Sequence, residues 1–323
     1  MNIFISILII LNFSYADYAG GYSGSSMRFG SSAREISLSN SLVSVSNPGF
    51  NAFVNPALVS LTKGTQIGSS LFLLSNNKNL QAFSFSRELP PSAGAGISFF
   101  RAGVNDIIGI SSSEQNLGDL GYSDGFAMLS FGLRFGSYFS TGLNVKALFQ
   151  RFKISDNEKY SAQGIALDLG FYSSPINNLD LGLKIENLNG KYNWNQNISE
   201  GSQDYEEKIP LRGLLGASYS LSNALIFILQ HEIIFISSFN SNRSSMAMEY
   251  TLNYDTPILL RFGLKQNQWA IIENDKLNFP FTLSSGIGFS RLNFMNKLQL
   301  NIDYAFQYTN LGFNNYFSIS TQL

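Results

Sequence analysis

Apolar and polar residues alternate along most of the chain after residue 64. In the run 179–186 every odd position is apolar and every even position is small or charged, and the runs 165–171 and 298–308 alternate in the same way. A helix cannot separate a period of two, whereas a β-strand places alternate side chains on opposite faces. The 11 residues of 298–308 also match the roughly 9 to 11 residues that a tilted strand needs to cross a bilayer. The pattern therefore predicts membrane-spanning strands with one apolar and one polar face.

Fourteen segments carry this alternation. They cover residues 65–75, 79–88, 92–101, 123–136, 138–153, 160–173, 178–188, 209–221, 224–237, 244–254, 257–266, 280–291, 297–309 and 315–323. Long polar connections such as 102–122, 189–208 and 267–279 alternate with short ones rich in turn-forming residues. Outer-membrane barrels have long outer loops and short periplasmic turns. We therefore predict an all-β fold, a 14-stranded antiparallel transmembrane β-barrel over residues 65–323, in the outer membrane with both termini in the periplasm.

The first 64 residues do not share this period of two. The apolar run 3–11, followed by the small-x-small site Ser14-Tyr15-Ala16, predicts a signal peptide over residues 1–16. A buried N-terminal strand is the alternative. Residues 17–64 contain a stretch rich in small residues with two arginines and two prolines, at 25–61. We interpret 17–64 as a plug-like segment that lies inside the barrel or across its mouth.

Composition favours a barrel over other classes of protein. Charged residues make up 13% of the chain and aromatic residues 14%, yet the mean hydropathy is only +0.03. A helical membrane protein is far more apolar, whereas alternating strands average to near neutrality. A soluble β-sandwich is the alternative, although its strands are shorter, about 5 to 6 residues. The net charge of −1 argues against nucleic-acid binding, and the absence of cysteine excludes disulfides and thiolate metal sites.

The polar faces of the predicted strands carry charges of both signs. These residues are Arg134, Lys146, Asp168, Asp180, Lys184, Glu186, Arg212, Glu249, Arg261, Lys265 and Asp303. Mixed charges inside a barrel can pair with one another, so we predict a structural lumen network rather than a field selective for one ion sign. A site for a polar ligand and contacts with the N-terminal segment are the alternatives.

Residues suited to catalysis or metal binding are sparse. His231 is the only histidine, and the sequence contains no G-x-S-x-G, no phosphate-cradling loop and no H-E-x-x-H. The acidic stretch DLGYSD at 119–124 is interpreted as a surface loop rather than a calcium site. We therefore predict a non-enzymatic protein with no catalytic residue, no metal and no cofactor.

The N-terminal segment resembles the signature of the PorV/PorQ family of outer-membrane barrels. The matching positions are Met27-Arg28-Phe29-Gly30, Ala33-Arg34 and Asn55-Pro56-Ala57, and residues 160–190 resemble later strands of that family. Where the family has a met-gly pair and two aspartates, this chain has Ile36-Ser37 and Asn47-Pro48-Gly49. The resemblance implies a relative of the FadL-type 14-stranded barrel whose N-terminal segment occludes the lumen. Our hypothesis is that Arg28 and Arg34 are held there by charge-assisted hydrogen bonds to carboxylates of the barrel wall.

The same resemblance implies a function in protein export. PorV-like members serve type IX secretion, so the implied partners are outer-membrane lipid, secretion-system proteins and exported cargo. The alternative is a FadL-like transporter of hydrophobic small molecules, favoured by the plug-like start and by inward apolar residues such as Leu148, Leu214 and Leu259. A general porin is a third possibility, which the mixed lumen charge and the occluding segment disfavour.

Overall fold

The described residues form fifteen strand segments in one antiparallel sheet, in which consecutive segments pair with each other except the eighth and the ninth. The computed structural model describes residues 22–74, 77–110, 116–153, 159–198, 201–236, 240–266, 281–294, 298–309 and 312–323. The strands are β1 (Thr65–Leu74), β2 (Lys78–Leu89), β3 (Ala93–Ile110), β4 (Asn116–Phe135), β5 (Phe139–Lys153), β6 (Lys159–Ile176), β7 (Leu179–Ile198), β8 (Gly201–Lys208), β9 (Leu211–Ser220), β10 (Leu225–Phe235), β11 (Asn240–Leu252), β12 (Ile258–Gln266), β13 (Phe281–Phe294), β14 (Leu298–Thr309) and β15 (Gly312–Gln322).

The sheet closes on itself as a barrel with 14 strand positions around its circumference, each called a stave below. β1 pairs with both β2 and β15, and β6 pairs with β7. β8 and β9 belong to one stave, since both pair with β7, along residues 191–198 and 179–186 respectively. Only Ile209 and Pro210 separate them, and proline has no backbone N–H to give to a ladder. The predicted 14-stranded antiparallel transmembrane barrel is therefore confirmed.

Two predicted loops are instead extensions of the strands. β3 and β4 stay paired as far as Ile110 and Asn116, and β7 and β8 stay paired as far as Ile198 and Gly201. The interpretation of residues 119–124 as a surface loop was therefore wrong. An antiparallel pair satisfies its own backbone groups, so it can continue after the apolar alternation has ended. The third long connection, 267–279, lies outside the described residues.

Large apolar side chains cover the outside of the barrel. Phe83, Phe99, Leu129 and Phe131 are between 41% and 59% exposed. In a transmembrane barrel this surface faces lipid. Among the described residues no helix is long and apolar enough to span a membrane.

Residues 22–64, called the inner segment below, run along the inside of the barrel. They contain 3-10 helices at Ser25–Arg28 and Pro56–Leu61 and α-helices at Ala33–Ser37 and Asn51–Val54. Ser32 caps the first α-helix at its N-terminus, where its side chain accepts a hydrogen bond from Glu35 N at 3.2 Å. Residues 1–16, and with them the predicted signal peptide, lie outside the described residues.

The inner segment extends from one half of the barrel to the opposite rim. Near its start, Ser26 Oγ donates to Asp124 Oδ2 at 2.6 Å, in the half nearer the β3–β4 extension, called the long-loop end below. At its end, Gly64 N donates to Glu88 Oε2 at 3.0 Å beside the turn that joins β2 to β3. That rim is called the short-turn end. The segment is therefore fixed to the wall at both levels.

Candidate functional site

An ion cluster joins the inner segment to strands β11, β12 and β14. Arg34 binds Glu249 in bidentate fashion, with Nε–Oε2 and Nη2–Oε1 distances of 2.9 Å, and also donates to Ser46 O at 2.7 Å. Arg261 Nε donates to Glu249 Oε2 at 2.6 Å and its Nη1 to Asp303 Oδ1 at 2.7 Å. Burial by itself lowers the pKa of Arg34. The charge of the Glu249 carboxylate and its hydrogen bonds to Arg34 more than offset this effect, so the pKa of Arg34 lies above its usual value. The cluster is buried and its charges balance.

A second cluster joins strands β7, β9, β10 and β12. Arg212 bridges two carboxylates, with Nη1–Glu186 Oε2 at 2.7 Å and Nε–Glu232 Oε1 at 3.1 Å. Lys265 Nζ lies 2.9 Å from Glu232 Oε2, and Lys184 Nζ lies 2.5 Å from Glu186 Oε1. Each carboxylate therefore contacts two cations, which offsets much of the cost of its desolvation.

Lys184 and a third ion pair also hold the inner segment. Lys184 Nζ donates to the Phe53 carbonyl oxygen at 2.5 Å. Lys146 Nζ lies 2.7 Å from Asp168 Oδ1. Asn144 Nδ2 donates both to Asp168 Oδ2 at 3.2 Å and to Ala52 O at 3.0 Å. The wall thus binds backbone carbonyls of the inner segment through the charged Lys184 and the neutral Asn144.

The structure brings together most of the residues expected in the lumen network, but not all. The members with buried ion pairs are Lys146, Asp168, Lys184, Glu186, Arg212, Glu249, Arg261, Lys265 and Asp303. Asp180 instead accepts a hydrogen bond from the Tyr172 hydroxyl at 2.7 Å. Arg134 has inward parity but lies one residue before the end of β4, at the short-turn rim, where it is exposed. Its placement in the network was wrong.

Two buried carboxylates of the lumen were not among the predicted network residues. Glu232 was not predicted to lie in the lumen, although its even position on β10 points it inward beside Gln230 and Ile228. Asp124 falls both in the predicted strand 123–136 and in the stretch 119–124 interpreted as a surface loop, and the structure places it fully buried in β4. His231 lies on the opposite face of β10 from Glu232, and its Nδ1 is 3.0 Å from Ser244 Oγ.

The signature residues take different positions in the inner segment. Arg28 is half-buried, and burial together with the nearby Arg212 lowers its pKa to about 10, so it stays charged at neutral pH. Gly30 has a φ of 98°, a conformation that favours glycine. Asn55 and Ala57 are completely buried, and Pro56 lies against the wall at Gly142 and Gly170, where a side chain would overlap it.

Asn55 fixes both the helix that follows it and the position of the segment. Its Oδ1 accepts from Ala57 N at 3.0 Å, and its Nδ2 donates to Val43 O at 2.9 Å and Phe171 O at 3.1 Å. We expect Asn55→Ala to cost about 2–4 kcal/mol of stability, because it removes a helix cap and leaves buried carbonyls without a donor. Denaturant unfolding measures this loss. Asn177→Ala, in an exposed turn, is the control and is expected to change stability by less than about 0.5 kcal/mol.

A cavity of about 50 Å³ remains between the inner segment and the wall. Its polar lining includes Arg28, Glu35, Lys146, Asp168, Lys184, Glu186 and Arg212, and its apolar lining includes Phe53, Phe100, Phe126 and Met128. An apolar cavity that accepts benzene has a volume of about 150 Å³. This cavity therefore holds at most a few waters while the inner segment keeps this position.

A larger groove of about 1160 Å³ opens on the outside of the wall beside β6 and β7. β7 is irregular here, because its pairing with β6 shifts register twice between Ile165 and Leu169 and because Asn187 and Asn189 have positive φ. The groove is lined mainly by outward-facing residues, and it also reaches Leu148 and Ala166, which are buried.

The same barrel occurs among solved outer-membrane transporters. No family model and no curated protein matches the sequence. The Ralstonia pickettii toluene transporter TbuX matches with a TM-score of 0.62 and 11% identity, over 90% of this chain and 97% of that one. A Pseudomonas aeruginosa FadL homologue gives the same four values. The Pseudomonas putida toluene transporter TodX matches with a TM-score of 0.60 and 11% identity, over 90% and 96% of the two chains.

The chain has the FadL-type barrel fold. At 10% to 11% identity the likeness concerns architecture, and nearly the whole length of both chains takes part in it. The fold does not by itself fix a function.

Proposed function

We propose that this protein is a non-enzymatic transporter of small hydrophobic compounds across the outer membrane, and that its inner segment closes the lumen at rest. The observation that carries the proposal is a FadL-type barrel whose lumen is filled by a segment bound through side-chain contacts. Solved barrels of this fold are described as toluene transporters and hydrocarbon channels. The likeness to them supports transport over protein export.

Transport requires the inner segment to move. The cavity beside it is too small for a monoaromatic ring. The segment contributes no strand to the sheet, so it can shift without breaking the barrel ladder. The contacts that would have to open are hydrogen bonds and ion pairs such as those of Arg34 and Asn55. We propose that a shift of this segment exposes a route through the lumen.

A reversible crosslink tests whether the segment moves. The chain has no cysteine, so an introduced pair forms a single disulfide. Ser39 of the inner segment lies with its Oγ 3.2 Å from Ser284 Oγ on β13. We expect Ser39→Cys/Ser284→Cys to reduce uptake of a radiolabelled monoaromatic hydrocarbon to background when oxidised, and to recover when reduced. Whole cells without a native hydrocarbon transporter serve as the assay, because such compounds cross simple lipid bilayers unaided.

The control places the same crosslink within the wall. Ser84 and Ser98 are buried partners on β2 and β3, with their Oγ atoms 2.9 Å apart. Ser84→Cys/Ser98→Cys should transport equally well oxidised and reduced. Uptake that persists when the Ser39–Ser284 crosslink is oxidised would contradict closure of the lumen by the inner segment. Uptake by the wild type that does not exceed background would contradict transport itself.

Protein export is the second candidate. The observation in its favour is the similarity of Arg28, Gly30, Arg34, Asn55, Pro56 and Ala57 to the PorV/PorQ signature. In this case the β3–β4 and β7–β8 extensions would meet exported cargo outside the cell, with both termini in the periplasm. Deleting the gene and measuring surface proteins tests it, and unchanged display of every cargo with a C-terminal secretion signal would exclude the role.

A further inference from the structure

The outer groove beside β6 and β7 changes from apolar to polar along the wall. β6 begins at the long-loop end, where Ser161 and Gln163 line the groove, and Ile165 and Leu167 follow. On the neighbouring strands the lining residues, taken toward the long-loop end, are Ala147 and Phe149 on β5 and Leu188, Asn189, Lys191 and Asn193 on β7. The groove therefore has an apolar floor nearer the middle of the wall and a polar rim nearer the long-loop end.

Two outward-facing alanines form the floor. Ala127 and Ala147 are exposed cross-strand partners on β4 and β5. Their row continues into larger apolar side chains, with Phe99 on β3 and Ile165 on β6. The ring of Phe149 stacks on that of Phe99, with the ring centroids 5.7 Å apart. Because this ring is turned toward β3 and away from β6, the surface over Ala147 stays open.

The polar rim carries more cations than carboxylates among the described side chains. Lys191 Nζ lies 2.6 Å from Glu206 Oε1, and both side chains are exposed. Lys208 is also exposed and lies directly opposite Lys191, so one carboxylate faces two ammonium groups. Arg151 is exposed on β5, directly opposite Ser161 of the groove. The rim is therefore suited to an anion.

The groove has the size and position of a lipid site. Its volume of about 1160 Å³ is several times the roughly 150 Å³ of an apolar cavity that accepts benzene, so one monoaromatic ring would fill only part of it. The outward face of a transmembrane barrel meets acyl chains at its middle and lipid headgroups at its ends, and long loops lie on the outer side. Anionic headgroups attract Lys and Arg near the membrane surface.

We propose that this groove binds one phosphate-bearing lipid of the outer leaflet, with an acyl chain over Ala127 and Ala147 and the phosphate at Lys191, Lys208 and Arg151. Solvent screens the exposed Lys191–Glu206 pair, so a phosphate can replace the carboxylate at Lys191. A second copy of the barrel, seated on the same surface, would bring the same cations instead of a complementary charge. The site stands independently of what the barrel transports.

Native mass spectrometry of the purified barrel tests the site. The protein is titrated in detergent with dipalmitoyl phosphatidylglycerol or dipalmitoyl phosphatidylcholine, which share their chains and differ in net charge. We expect one phosphatidylglycerol to bind per barrel in a saturating manner, with a half-saturation concentration several-fold below that of phosphatidylcholine. Equal binding of the two lipids, or binding that does not saturate at one per barrel, would overturn the proposal.

Filling the floor should prevent binding. Ala147→Phe is expected to lower the bound fraction of phosphatidylglycerol several-fold, whereas Ala217→Phe, on the outward face of β9 and outside the groove, should bind as the wild type does. Heat-modifiable gel mobility checks folding, and Ala127→Phe replaces Ala147→Phe if the latter does not fold. Unchanged binding in a folded floor variant would place the lipid elsewhere. Loss of a barrel dimer in the same spectra would make the groove an interface between copies, which also contradicts the proposal.

Neutralising the rim tests the headgroup contacts. Lys191→Gln/Lys208→Gln should remove the preference for phosphatidylglycerol over phosphatidylcholine, because the chain contacts remain and the cations do not. Lys63→Gln/Arg87→Gln removes two exposed cations at the short-turn end and should keep the preference. A preference that persists in the first variant, or disappears in the second, would show that the rim does not hold the headgroup.

Discussion

Replacing Glu249 by alanine is expected to lower the free energy of unfolding by about 3–5 kcal/mol. Glu249 is 4% exposed and accepts hydrogen bonds from both Arg34 and Arg261. Its removal leaves Arg34 without its carboxylate partner and Arg261 with Asp303 alone. Two buried guanidinium groups then share one carboxylate, and the penalty is that of an uncompensated buried charge. Denaturant unfolding of the purified barrel measures the loss.

Glu206→Ala is the matched control. Glu206 also accepts an ion pair, from Lys191 Nζ at 2.6 Å, but its side chain is 56% exposed. Solvent screens such pairs, so we expect a change below about 1 kcal/mol. Equal losses in the two variants would show that burial of the Arg34–Glu249–Arg261 cluster contributes nothing beyond an ordinary surface pair.

The strands were predictable because the physics of a membrane barrel acts on every residue of the wall. Lipid on one side and a polar lumen on the other impose a period of two that no helix can satisfy. β12, for example, spans Ile258–Gln266, within one residue of the predicted segment 257–266. The interrupted stave is the exception, because Pro210 breaks the ladder and yet the chain continues in the same direction.

The ends of the hairpins were not predictable from alternation. In the sequence of the β3–β4 and β7–β8 extensions the alternation of apolar and polar residues ends, while the backbone ladder continues. Asp124 lies where the predicted strand 123–136 overlaps the stretch interpreted as a loop, so its inward position was not recognised. The short sequence DLGYSD has the composition of a turn, but its last residue is the first of a run of inward positions on β4 that are buried.

Ion pairs within the lumen depend on the strand registers and on the position of the inner segment, which the sequence pattern predicts only in part. Glu249 and Arg261 are cross-strand partners on β11 and β12, so correct strand registers would have paired them. Arg34 comes from outside the sheet, and its contact with Glu249 depends on how the inner segment sits. Arg134 could not be placed from alternation alone. Odd or even position predicts the face of the strand on which a residue lies, but not how far the residue lies from the rim of the barrel.

The glycines of the wall are the sequence signal for the position of the inner segment. A Cβ at Gly142 would overlap the Pro56 carbonyl and lie 2.6 Å from Ala57 N. A Cβ at Gly182 would overlap the Val43 carbonyl and lie 2.7 Å from Ser44 N. In both places the obstacle is backbone, which cannot turn aside as a side chain does. The segment is therefore fitted to a wall that has no side chain at these two points.

We expect Gly142→Ala/Gly182→Ala to displace the inner segment and open the lumen. Overpacking typically costs about 1–3 kcal/mol at each site, and shifting the segment relieves it without breaking a strand. Single-channel recordings should then show stable openings in the double variant and a closed wild type.

Gly213→Ala provides the control, because a Cβ there points away from the lumen and lies 3.8 Å from its nearest neighbour, Phe235. It should behave as the wild type does. If heat-modifiable gel mobility shows that the double variant is folded and its channel is still closed, the barrel wall, and not the inner segment, has shifted to accommodate the added methyl groups. In that case the ion clusters around Arg34 and Lys184, rather than the fit of backbone to glycine, would hold the inner segment in the lumen.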